Sequence, residues 1–156
     1  MSKESRQELI HAFIAAVRAS QTATEMLDDA IADHLGLHRT AFRCLDILDQ
    51  EGPMTAGRLA ERARLSPGAT TALLDRLEEK GLARRTRDAA DRRRVLVEVT
   101  PELRRRAEQL YGSPDAAPDA MAHYTDEQLE FLIGFLRGNV AFQEERMRLL
   151  EQLADV

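Results

Sequence analysis

The chemistry open to this chain is mostly the chemistry of arginine. Arg84, Arg85, Arg87, Arg92, Arg93 and Arg94 crowd one short stretch. An arginine presents a planar fork of donors and stays charged, which suits phosphate oxygens and a narrow, electronegative minor groove. Residues 84–106 hold nine arginines against four acids, a local balance of +5 in a chain of net charge −5, so the remainder carries −10. A basic strip on an acidic body implies a polyanionic partner met by one surface. Most charge runs are only solvated faces. This one directly follows a helix–turn–helix pattern, which favours binding.

Other reactive groups give weaker signals. His34 and His38 are four apart, a spacing that on one helix would present both to a metal, but Gly36 between them marks a helix break. Surface or core histidines are the more common outcome. Cys44 is the single cysteine, so no internal disulfide framework forms and a reducing cytoplasm suits the chain. Its neighbours Leu45 and Leu48 favour a buried structural thiol over an oxidant sensor. Phe13, Phe42 and Tyr111 could line a ligand pocket, although aromatics at helical spacing are more often core. There is no glycine-rich phosphate loop, serine elbow or compact Cys/His cluster, so neither an enzyme nor a cofactor is expected.

The arginines need elements to position them. Residues 55–63 form a helix that Thr55 can cap, with Leu59 and Ala60 inward. A turn at Arg64-Leu65 leads to a second helix over 66–80. Ser66 can accept an otherwise unpaired backbone N–H there, and Pro67 suits the first helical position, where no N–H partner is needed. Leu73, Leu74 and Leu77 share one side; Gly68, Thr71, Ala72, Asp75 and Glu79 share the other. The start of that outer face is small and uncharged, as a helix lying against base edges in a major groove requires. Gly81 ends the helix. Residues 83–87 and 94–99 then alternate like strands, with Val95, Val97 and Val99 on one face. Asp88-Ala-Ala-Asp91-Arg92 between them makes a polar, basic hairpin tip.

The flanks read as long amphipathic helices. Residues 4–33 place Leu9, Phe13, Ala16, Val17, Met26, Leu27, Ala30 and Ile31 at helical spacing. Residues 37–50 form another helix with Ala41, Leu45 and Leu48 inward, closed by the Gly52-Pro53 turn. After Thr100-Pro101 a helix runs to about Tyr111, where Gly112-Ser113-Pro114 breaks it. A short or irregular helix is expected over 114–123. Thr125 and Gln128 form a capping-box pattern opening the last helix, 126–153, with Leu129, Leu132, Ile133, Leu136, Val140, Met147, Leu150 and Leu153 as its stripe. The N-terminus is charged, the run Phe131-Leu-Ile stops at Gly134, and no membrane span or export signal is expected.

The expected fold is mainly α with a small β-hairpin wing: a winged helix–turn–helix core flanked by N- and C-terminal dimerisation helices. At 156 residues the chain is most simply one domain, 1–156, with a DNA-binding lobe at 37–100 and dimerisation helices at 4–33 and 101–153. The two long stripes could instead pack within one chain. A homodimer is favoured because two-fold symmetry supplies two reading helices for two half-sites.

Residues 41–100 resemble the MarR family of winged helix–turn–helix regulators. The resemblance rests on LDILDQEGPMTAGRLAERARLSPGATTALLDRLEEKGLARR and DAADRRRVLVEVTP, which give the helix pair, the DRLEEKGL junction, the DRR wing tip and the closing Thr-Pro in one order. It implies a dimeric transcription regulator, usually a repressor, that binds a pseudo-palindromic double-stranded DNA operator and is released by a small-molecule effector or an oxidant. The effector's pocket is then expected where the dimerisation helices meet the DNA-binding lobe. Carried over by position, Ser66, Gly68, Ala69, Thr70 and Thr71 occupy the DNA-proximal first turns of the groove-reading helix. The helical wheel turns Thr70 to the core and so favours Thr71. Arg76 lies further along that helix, and Arg87 flanks the wing tip. Arg93 is expected in the minor groove with Asp91 holding it and Arg92 beside it. Two positions depart from the family. Ala72 stands where relatives often carry a polar or basic residue, and Arg64 where the tight turn often has glycine. Either Arg64 adopts a left-handed backbone, at a cost of ~1–2 kcal/mol, or the turn is shaped differently and Arg64 adds a phosphate contact. The competing class is a winged helix used only to bind protein. Retention on heparin at low salt separates the two, since an adaptor of net charge −5 should flow through.

Overall fold

A computed structural model describes residues 3–112, 119 and 121–154. Its elements run α1 (Lys3–His34), α2 (Arg39–Glu51), α3 (Ala56–Ala63), α4 (Pro67–Glu79), β1 (Ala83–Arg87), β2 (Val95–Val99), α5 (Pro101–Tyr111) and α6 (Asp126–Ala154). The chain divides into two units, Met1–Tyr111 and Gly112–Val156. The mainly helical fold with one antiparallel hairpin matches the expected class. The short helix expected over 114–123 falls mostly outside the described residues.

The first unit is built on one apolar core. Cys44, Leu45, Leu48, Leu59, Leu74, Leu77, Leu82 and Val97 are all but inaccessible to solvent, and the last turns of α1 add Ile31 and Ala32. Each such leucine contributes about 1.5–3 kcal/mol relative to an exposed one. The helix ends follow local rules. Thr55 Oγ1 accepts from the Arg58 amide at 3.2 Å, and Ser66 Oγ accepts from the Ala69 amide at 3.3 Å. Arg43 donates to the Ala63 carbonyl at 2.9 Å, satisfying an acceptor that the end of α3 leaves over. Gly81, at φ +69°, turns the chain out of α4.

The hairpin pairs Ala83 with Val99 and Arg87 with Val95. Val97 and Val99 are buried, whereas Val95 is half exposed, because the hairpin's outer end rises clear of the core. Met54 adds a third antiparallel partner, donating to Val97 O at 3.1 Å and accepting from Val97 N at 2.7 Å. Thr100 closes the wing. Its hydroxyl donates to Gly81 O at 2.7 Å and accepts from the Leu103 amide at 3.2 Å, so one side chain ties the end of α4 to the start of α5.

In the second unit the capping box forms as expected. Thr125 N donates to Gln128 Oε1 at 2.9 Å, and Gln128 N donates to Thr125 Oγ1 at 3.3 Å. The α6 stripe is open to solvent within the single chain, with Leu136 58 % and Leu153 72 % exposed. Much of α1 is the same: Leu9, Phe13, Ile14 and Met26 are exposed. Among the described residues no helix is long and apolar enough to cross a membrane.

Candidate nucleic-acid interface

Helix α4 spans about 20 Å at 1.5 Å per residue and offers solvent a face of mixed character. Ser66, Pro67, Gly68, Ala69, Thr71 and Ala72 are exposed and uncharged, and Asp75, Arg76 and Glu79 follow them. Thr70 is the exception among the candidates. It is 1 % exposed and its hydroxyl donates to Ser66 O at 3.0 Å, so its side chain faces the core, as the helical wheel indicates, and leaves the outer face. Thr71 Oγ1 donates to Pro67 O at 3.0 Å. With its proton committed, the oxygen presents lone pairs to any donor above it. The Ser66 oxygen is used as an acceptor by the Ala69 amide, leaving its O–H to donate outward. Gly68 has ordinary helical backbone, and a Cβ there would meet nothing within 4 Å. The fold itself therefore does not require a glycine at that position.

The turn before α4 answers the question raised by Arg64. Its backbone is left-handed, at φ 56° and ψ 49°, and its amide bonds to Ala60 O and Glu61 O to end α3. A non-glycine residue thus occupies a glycine conformation, and the side chain stays exposed.

The six hairpin arginines divide into two groups. Arg84 pairs with Glu98 across the strands at 2.9 Å, and Arg94 with Asp88 at 3.7 Å. Arg85 is held by Asp75 at 2.8 Å and by Glu78. Arg87 and Arg92 are exposed and make no ion pair with the described residues. The Arg93 side chain is 94 % exposed. Asp91 Oδ1 accepts from its backbone amide at 3.1 Å and from Nε at 3.4 Å, which fixes the base of the arginine and leaves the guanidinium tip outward. The tip is further shaped by Arg94 N donating to Asp91 O at 2.8 Å and Ala90 N to Asp88 Oδ1 at 2.8 Å. The sequence places all six arginines on one short hairpin and does not separate the paired from the outward ones, because charge totals do not reveal partners within the fold.

Among the remaining candidates, Gly36 is left-handed at φ +61° and separates His34, in the last turn of α1, from His38, the cap residue of α2. The two histidines do not share a helix, and no metal-holding cluster occurs among the described residues. Cys44 is fully buried, and burial pushes its thiol above the ordinary value, opposed by Arg43. A thiol kept protonated and out of solvent is a structural group. Of the three aromatics, Phe42 and Tyr111 border an open cavity of about 140 Å³ with Leu45, Asp46, Leu103 and Arg104, while Phe13 is exposed on α1. Tyr111 donates to Asp28 Oδ1 at 2.8 Å; burial, then that bond and the Asp28 charge, push its phenol pKa up.

A buried helix pair, a capped outer helix with a small-residue face and a hairpin tipped by outward arginines define a winged helix–turn–helix DNA-binding protein. The chain belongs to the MarR family of transcriptional regulators: the MarR family profile matches residues 37–95. It is 35% identical over 152 residues to YcgE of Bacillus subtilis (strain 168), described as an uncharacterized HTH-type transcriptional regulator, covering 97% of this chain and 99% of that one. The fold is shared with a MarR family protein from Bacillus stearothermophilus, at TM-score 0.58 and 22% identity over 92% of this chain and 99% of that one. It is also shared with NadR, solved in complex with 4-hydroxyphenylacetate, at TM-score 0.54 and 23% identity over 82% of this chain and 90% of that one. The family and its relatives are transcription regulators, not enzymes.

Proposed function

We propose that this regulator acts as a homodimeric repressor that seats two α4 helices in successive major grooves of a pseudo-palindromic operator and is released by a small molecule. The observation that carries the reading is the outward set Arg87, Arg92 and Arg93 beside an uncharged N-terminal face on α4. Ser66 and Arg64 then meet phosphates, Thr71 accepts from a base amino group, and Gly68 and Ala69 let the backbone approach the groove floor. Arg76 lies at the helix's far end, towards the flanking backbone. Arg93 enters the adjacent minor groove, held at its root by Asp91.

Pairing is supported by the uncovered apolar residues of α1 and α6, far more than a soluble monomer ordinarily leaves open. The effector reading is supported by the cavity beside Phe42 and Tyr111, which lies between α2 and α5 of the first unit, with Tyr111 bonded to Asp28 of α1. NadR's aromatic acid shows that a protein of this fold can hold a small aromatic ligand.

The test is selection of genomic fragments by the purified protein, followed by footprinting and sedimentation on the selected duplex. The expected result is a protected two-fold site spanning two half-sites about one helical turn apart, occupied by two chains. Failure to retain any fragment, or one chain per site with unrelated halves, overturns the reading.

A further inference from the structure

Among the described residues, Arg85 is the hairpin arginine whose ion pairs reach outside the hairpin. Its guanidinium reaches Asp75 at 2.8 Å and also contacts Glu78, both on α4, and its own backbone amide donates to Glu78 Oε1 at 2.8 Å. Asp75 and Glu78 sit one turn apart on the helix that faces DNA in the function proposed above, and the Asp75 carboxylate is half exposed. Two bare carboxylates there would repel a phosphate backbone. Arg85 covers both from the strand side, and its side chain is only 30 % exposed. Unlike Arg93, it has both terminal nitrogens turned to carboxylates of the chain itself.

We infer that Arg85 is a built-in counter-ion: its task is to neutralise Asp75 and Glu78 so that α4 can approach DNA, rather than to contact DNA itself. This rests on the DNA-binding reading of α4. The electrostatic logic is general. A like charge held near a polyanion weakens association, and an opposite charge in bidentate contact removes most of that penalty. It also accounts for Asp75 and Glu78 being carried in the second half of a reading helix.

The experiment uses the full-length protein and random-sequence duplex DNA at low salt, with the selected operator fragment as a second probe. Arg85→Ala should weaken binding on the order of tenfold at low salt, and the loss should shrink as salt is raised. Adding Asp75→Asn and Glu78→Gln to Arg85→Ala should restore binding. The same two neutral substitutions with Arg85 intact should bind at least as tightly as wild type. Arg85→Lys, which keeps the charge and loses the fork, should stay close to wild type and serves if Arg85→Ala fails to fold. If Asp75→Asn with Glu78→Gln weakens binding, Arg85 is a mechanical clamp and the inference fails. If the triple variant stays as weak as Arg85→Ala, Arg85 touches phosphate and the inference also fails. A wild-type protein that binds neither duplex removes the DNA reading itself, a result distinct from both.

Discussion

At the scale of single residues, exposure and partner together decide what a side chain can do. Arg93 and Arg85 are chemically identical and only eight residues apart, yet one projects into solvent and the other is closed against two acids. Arg93→Ala is therefore expected to weaken operator binding by about 1–3 kcal/mol without shifting the unfolding midpoint, since an exposed ion pair adds little stability. Gel-shift titration beside a denaturant melt checks both halves, and unchanged affinity in the folded variant would remove the wing from the interface. Gly68 gives the converse case. Alanine there meets no atom of the chain and is a better helix former, so stability should hold or rise by up to about 1 kcal/mol. DNA affinity should nonetheless fall, because the added methyl meets the groove. Unchanged affinity for Gly68→Ala would mean that the helix does not lie close to base edges.

At the scale of elements, the helices were legible because their punctuation is local. Ser66-Pro67 opens α4 and Gly81 ends its turn, and both act within a few residues of where they stand. What stayed hidden depends on partners distant in sequence. Thr100 bonds Gly81 nineteen residues back, and Met54 pairs with Val97 through a single bridge too short to show alternation. Arg85 was counted with its neighbours because its partners lie on another element. Arg64 marks the limit of the family pattern: the sequence left two conformations open, and the backbone adopts the left-handed one. Replacing it with glycine relieves steric strain of ~1–2 kcal/mol but adds chain entropy to the unfolded state, so a net gain of up to about 1 kcal/mol is expected. Urea titration measures it. A loss of stability would show that the side chain's own contacts outweigh the strain.

At the scale of the whole molecule, net charge conceals how charge is arranged. A chain of net charge −5 carries a locally basic hairpin on an acidic body, and in the proposed function that hairpin is the part that meets DNA. If about six phosphates are neutralised per dimer, log affinity should fall against log salt with a slope near about −5. Binding that ignores salt would contradict a phosphate-led interface. The same distribution should repel DNA from every other side of the protein, so orientation is imposed before contact. The flanking helices illustrate how far the sequence could be followed. Their stripes are visible as periodicity, but periodicity names a face and not what covers it; along α6 and all but the last turns of α1 that face is open in the single chain.

The Thr100 hydroxyl has a mechanical consequence. It is bonded on one side to the residue that terminates α4 and on the other to the first turn of α5. If α4 reads DNA as proposed, a tilt of α5 should pass through that oxygen to Gly81 and so to α4, and Thr100→Val should loosen the link. One short side chain thus joins the end of α4 to the first turn of α5 across the base of the whole hairpin.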